Sequence, residues 1–181
     1  MANISLSGEE RSLDSIINWY EDQLEAIKDF NKKIVDAVIY SKPFKFNPKF
    51  IAFTLAELDE YFIDSIDELE RLACFSIVSA TEARLRVDYI DRIRRKDKSS
   101  IGRIFRELNR KRGERISLEE HIVENWKKET GETIFSDFLG ILNYRHWIAH
   151  GRYWNPKLGR KYPINIAYNI SEKIFTIIDI N

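Results

Sequence analysis

Apolar positions recur at three- and four-residue steps along most of this chain, and that spacing predicts helices rather than strands. Leu13, Ile16, Ile17, Tyr20, Leu24, Ile27, Ile34 and Val38 form one such stripe, with acids on the opposite face, and predict a first helix from about Leu13 to Tyr40. It should stop in Ser41-Lys42-Pro43-Phe44-Lys45-Phe46-Asn47-Pro48, where two prolines impose an irregular link. A long helical region follows from about Leu55 to Lys96. Thr54 with Glu57 and Ser65 with Glu68 both have capping-box spacing, which leaves open whether this region is one helix or two. Its stripe Leu69, Ala73, Ser76, Ala80, Ala83 and Val87 is mostly small. Small side chains let another helix approach closely, so this region is expected at the centre of a bundle.

Asp97-Lys98-Ser99-Ser100 breaks the pattern, and a basic helix is expected from Ile101 to Lys111, ending at Gly113. Ser117 with Glu120 starts a short helix through about Lys128. Thr130-Gly131-Glu132-Thr133 reads as a turn, with Thr133 able to cap a helix from Ile134 to about Arg152. Phe135, Phe138, Leu142 and Trp147 are the expected anchors of that helix. In the tail, Ile164, Ile166, Tyr168 and Ile170 alternate as a strand would, while Ala167, Ile170, Ile174 and Ile177 fit a helix equally well. A lone hairpin would have no sheet to join, so a final helix is expected. The pattern as a whole predicts an all-α helical bundle with two long antiparallel helices plus shorter ones, as a single domain over residues 1–181.

Composition agrees with that picture. Only 7 Gly and 4 Pro in 181 residues leave few places to turn, which favours long helices. The 44% hydrophobic content suits one soluble globular domain able to bury roughly 70% of its unfolded surface. The single Cys74 lies in the apolar run Leu72-Ala73-Cys74-Phe75 and is expected as buried filler, with no disulfide framework possible within one chain. No signal peptide and no run of roughly 20 apolar residues is visible, so a cytoplasmic protein with no membrane partner is expected.

Net charge is zero, but the charges are segregated. Seven acids and no base lie between Glu57 and Glu70, whereas Arg84 to Arg115 holds thirteen bases against five acids. Residues 141–161 add Arg145, Arg152, Lys157, Arg160 and Lys161 with no acid. The basic regions could form a footprint for a polyanion, or a solvated face held by salt bridges.

Candidate chemistry concentrates in Asn143-Tyr144-Arg145-His146-Trp147-Ile148-Ala149-His150-Gly151-Arg152-Tyr153-Trp154, which holds two of the three histidines and two of the four tryptophans. Histidine titrates near neutrality and can act as base or acid, and arginine stays charged and can grip two phosphate oxygens. Asn143, His146 and His150 fall at three- and four-residue steps and would share a helix face. Arg145 is five residues from His150, about 140° round a helix, so one helix does not aim both at one phosphate. Two motif helices meeting across a two-fold axis could. His146 and His150 also have the spacing of zinc ligands on a helix, but Trp147 stands where such a motif needs its glutamate, and no metal is expected. Arg115 and His121 form a similar pair across the expected helix start at Ser117 and are taken as coincidence. Tyr144, Trp147 and Trp154 are expected as packing or dimer contacts, and Arg152 either binds phosphate or bridges a carboxylate.

Arg145, the polar His146 after it and His150 five positions on, with Ile148 and Ala149 between, resemble the motif of HEPN domains (higher eukaryotes and prokaryotes nucleotide-binding). The extension Gly151-Arg152-Tyr153-Trp154 and Lys157-Leu158-Gly159-Arg160 is similar to bacterial members. The resemblance implies a dimeric, metal-independent ribonuclease with a composite site and no cofactor. In it Arg145 and His150 would be catalytic, with His146 and Asn143 as supporting groups. RNA would be held by Arg152, Tyr153, Lys157, Arg160 and Lys161, with Arg94, Arg95 and Lys96 from the other basic region. It also implies bacterial defence or a toxin–antitoxin setting, with a cognate antitoxin protein as a partner. One departure stands out: toxins of this type often carry a modified tyrosine two residues after the histidine, where this chain has Arg152 and places Tyr153 one later. Adenylylation of that tyrosine is therefore not expected. The rival reading is a HEPN module that binds RNA, nucleotide or protein without cleaving.

Overall fold

A computed structural model describes residues 4–40, 47–159 and 162–180. Among them are six α-helices and no strand, so the chain is an all-helical bundle. In order these are α1 (Leu13–Ile39), a 3-10 turn (Pro48–Ala52), α2 (Leu55–Arg94), α3 (Ser100–Arg112), a π-helical turn (Leu118–Val123), α4 (Glu124–Thr130), α5 (Ile134–Ala149) and α6 (Ile164–Ile180). Contacts group the chain into two compact units, residues 14–73 and residues 1–13 with 74–181. Among the described residues no helix is long and apolar enough to cross a membrane.

In the 14–73 unit, Ile34 of α1, Phe50 of the 3-10 turn, and Leu58 and Phe62 of α2 make a buried cluster, with Ile27, Phe53 and Tyr61 packed round it. Phe50 is its pivot, stacked on Phe62 at 6.3 Å and meeting Tyr61 edge-on at 5.4 Å. Asn47 holds the turn in place: its side chain accepts from the Lys49 backbone N–H at 3.1 Å, with Pro48 as the first helical residue. The Ser41–Phe46 part of the expected proline link lies outside the described residues.

Thr54 and Glu57 form the expected capping box, Glu57 N–H to Thr54 Oγ1 at 3.3 Å and Thr54 N–H to Glu57 Oε2 at 2.7 Å. The Thr54 N–H, and after it the Thr54 hydroxyl donating to the same oxygen at 2.8 Å, hold the Glu57 carboxyl below its usual range. Ser65 starts nothing. Its hydroxyl donates to the Tyr61 carbonyl one turn back, at 2.8 Å, and α2 runs through as one helix.

The other unit is built on the second half of α2. Cys74, Ile77, Val78, Thr81, Leu85, Asp88, Tyr89 and Arg92 are all buried there, so burial goes well beyond the expected small-residue stripe. Tyr89, Phe105, Trp126 and Phe135 form a chain of rings from α2 through α3 and α4 to α5. Phe135, Phe138, Ile141 and Leu142 fix α5, while Ala167, Ile170, Ile174 and Ile178 bury one face of α6, which settles the tail as a helix.

Arg92 joins three elements of this unit. Buried to 4% exposure, it donates to Asp88 Oδ1 and Asp97 Oδ2 at 2.7 Å each, and to the Ile178 carbonyl at 3.3 Å. A buried guanidinium is tolerable only when its donors are used in this way. Burial pushes the Asp88 carboxyl up, against the pull of Arg92. Asp97 goes the other way: hydrogen bonds from Ser99, with Arg92 beside it, bring its carboxyl down to about 2.

Just past α2, Asp97 N–H reaches the Arg92 carbonyl at 2.9 Å and Lys96 N–H the Ile93 carbonyl at 3.1 Å. This is a Schellman end with Lys96, at φ +54°, in the position glycine usually takes.

Candidate functional site

The motif lies on α5 and the loop behind it. Thr133 stands at the start of α5 without a side-chain capping bond, and its carbonyl instead accepts from the N–H groups of Ser136 and Asp137. The expected extent of the helix also needs correction at its far end. It does not continue to Arg152 but ends at Ala149, with His150 as the capping residue. Arg152 N–H bonds to the Trp147 carbonyl at 3.1 Å and Gly151 N–H to the Ile148 carbonyl at 3.3 Å, a second Schellman end. Gly151 supplies the left-handed turn at φ +79°, and Arg152 follows at φ +59°.

This reversal leaves His150 exposed at the tip of α5. Its ring lies 6.5 Å from that of half-buried His146 and 6.4 Å from that of Trp154. Trp147 ties the loop back, its indole N–H donating to the Trp154 carbonyl at 2.7 Å. Trp147 is therefore not an interior anchor: it is half-buried and stacks on Tyr144, which stacks in turn on Tyr162. Tyr153, 83% exposed, stands edge-on to Trp154 at 4.7 Å.

Arg145 faces another way. Its guanidinium sits over the Phe75 ring at 5.3 Å, and Nη2 lies 3.6 Å from Glu82 Oε2 on α2. Among the described residues no hydrogen bond or ring contact joins it to His150. The structure thus brings His146, His150 and Trp154 together and separates Arg145 from them. Asn143 is exposed, in a cleft of about 330 Å³ that also holds Glu119, Glu120 and Glu124. Those acids do not favour phosphate at that point.

Of the expected RNA contacts, Arg152, Tyr153 and Lys157 are exposed on the loop, whereas Arg160 and Lys161 lie outside the described residues. Arg94 is engaged by Glu114 at 3.7 Å and by the Ile4 carbonyl. Arg95 and Lys96 are exposed and line a charged cleft of about 610 Å³ with Arg84, Lys98, Asp91 and Asp179. Several of the bases are paired with acids, Arg84 with Asp179, Arg86 with Glu82, Arg92 with Asp88 and Asp97, and Lys111 with Glu107. Among the described residues no group of three or more His, Cys, Asp or Glu side chains is placed to hold a metal ion.

Sequence reasoning missed Glu82. Its one signal is position: residues 72–81 carry no charge, so Glu82 is the first charged side chain after the apolar stretch of α2. Comparison of the chain with family models, with curated proteins and with solved structures gives no match.

Proposed function

We propose that this chain is an endoribonuclease of the HEPN type, working as a homodimer and cleaving RNA without a metal ion. The observation that carries this reading is the His146–His150 pair, with rings 6.5 Å apart at the accessible end of α5. In the reaction, the substrate's 2′-hydroxyl attacks the adjacent phosphorus and gives its proton to a base. The bond to the 5′ oxygen breaks, and that oxygen takes a proton from an acid. The products are a 2′,3′-cyclic phosphate and a 5′-hydroxyl. His150 serves as base or acid and Arg145 binds the phosphate as charge builds on it, with His146 and Asn143 as supporting groups. Because Arg145 and His150 diverge within one chain, a second motif helix is needed to converge them. Arg152, Tyr153, Lys157, Arg95 and Lys96 contact the rest of the RNA. The resemblance adds a setting in bacterial defence or a toxin–antitoxin pair, with a cognate antitoxin protein as partner.

The test is cleavage of labelled RNA in EDTA, with an otherwise identical DNA as control. RNA should be cut to cyclic-phosphate ends and DNA left intact. His150→Ala should lower the rate about 10²–10⁴-fold, the usual contribution of a placed acid–base group, and Arg145→Ala should act likewise with the dimer still folded. Folded wild type that cuts no RNA, or two alanine variants as active as wild type, would end the nuclease reading. One observation favours the rival, a module that binds without cleaving: the Arg145 charge already faces Glu82.

A further inference from the structure

We propose that Glu82 is a positioning residue for Arg145, holding the guanidinium in the orientation in which it meets a phosphate; the proposal rests on the nuclease reading above. Arg145 has few other constraints. Its side chain is 26% exposed, its Nε is buried without a hydrogen-bond partner, and Phe75 offers only a ring face. Glu82 is the acidic group that gives it a direction.

Glu82 is itself fixed. Its other carboxylate oxygen, Oε1, takes Nε and Nη2 of Arg86, both at 3.1 Å, and Arg86 donates from Nη1 to the Ile116 carbonyl at 3.2 Å. Phe75, Glu82 and Arg86 fall seven and four residues apart, which puts them on one stripe of α2. The array Arg86–Glu82–Arg145 carries two positive charges and one negative, so it keeps a net charge of +1 with which to attract an anion.

The 3.6 Å contact is what makes this a guide rather than a lock. It is longer than a normal N–H···O hydrogen bond, so Arg145 loses no hydrogen bond when it turns its free N–H groups to a phosphate. An arginine already limited in its rotamers loses less freedom on engaging the substrate than an unrestrained one. A Glu82 that merely supported the fold would act on stability and not selectively through Arg145.

Two readouts test this on the full-length dimer: cleavage of RNA, and binding of the same oligonucleotide with every 2′-oxygen methylated, which cannot be cut. Glu82→Ala should lower kcat/KM about tenfold and should weaken binding of the methylated RNA. In an Arg145→Ala background the same change should have almost no further effect on either. Glu82→Gln keeps an acceptor at the same reach and should recover a large part of the loss. If the alanine variant fails to fold, Glu82→Met, which fills the same space without an acceptor oxygen, takes its place in both readouts. Wild-type activity in Glu82→Ala, or a loss just as large without Arg145, overturns the proposal. If wild type binds but never cuts, the nuclease reading falls and the same comparison of variants in the binding arm decides the role of Glu82. If wild type neither cuts nor binds, both fall.

Discussion

Gly140, in the middle of the motif helix, gives a sharp test of how α5 is seated. A Cβ built there would lie under 3.0 Å from the Tyr162 hydroxyl oxygen, closer than real Cβ atoms approach. Tyr162 has little room to yield: it is 7% exposed, its ring stacks on Tyr144 at 6.0 Å, and its carbonyl accepts from the Cys74 thiol at 3.5 Å. Two effects of Gly140→Ala therefore compete. Replacing glycine inside a helix gains up to about 1 kcal/mol, whereas forcing a methyl group into a packed seam costs about 1–3 kcal/mol. The steric term should win by about 1–2 kcal/mol, lowering Tm by about 3–6 °C for a chain of this size. Tyr162→Phe removes the offending oxygen and leaves the ring carbon Cζ at 3.6 Å from the new methyl, an ordinary contact. The double variant should then be more stable than Gly140→Ala alone, although Tyr162→Phe has a cost of its own. Thermal melts of wild type, both single variants and the double variant complete the cycle. A Gly140→Ala protein that melts higher than wild type, or two effects that simply add, would refute the account of this seam.

Two further outcomes follow from the end of α2. Lys96 holds φ +54°, which costs a residue with a side chain roughly 1–2 kcal/mol relative to glycine. Lys96→Gly gives part of that back through the freer unfolded chain, so its Tm should rise by about 1–3 °C; a lower Tm would contradict the Schellman assignment. Asp97 is brought from the usual 3.8 to about 2 by hydrogen bonds from Ser99 and the nearby Arg92. A lowered carboxyl favours the folded state above its unfolded value, and that stability is lost as pH falls from about 4 through about 2. Urea unfolding of wild type should show a loss of up to about 2 kcal/mol across that window, and Asp97→Asn should remove that part of the pH dependence.

Where the chain obeys local rules, its elements are legible in the sequence. The apolar spacing of α1 and the Thr54–Glu57 box are local features, and the structure uses both. Ser65–Glu68 had the same spacing and failed, because a serine inside a continuous helix can return its hydroxyl to the carbonyl one turn back. The true end of α5 was also written in the chain. Gly151 is a helix-stop residue, and the run of aromatic and basic side chains beyond it obscured that signal. The candidate residues His146 and His150 were readable from spacing, but the direction taken by Arg145 was not. Glu82 lies 63 residues before Arg145, and only packing of α5 on α2 brings them together. Arg92 was hidden in the same way: within a basic run nothing local marks the one arginine that goes inside.

The stacking of Tyr144 on Tyr162 and the bond from Trp147 to the Trp154 carbonyl have a consequence for how such a site can diversify. Both ends of the intervening loop are clasped to α5 by residues three apart on it. Residues 155–159 therefore form a cassette between two fixed brackets. Its length and charge can drift while the brackets keep His150 where α5 leaves it. A lineage that alters Tyr144 or Trp147 gives up that freedom, since every later change in the loop would then also move the histidine.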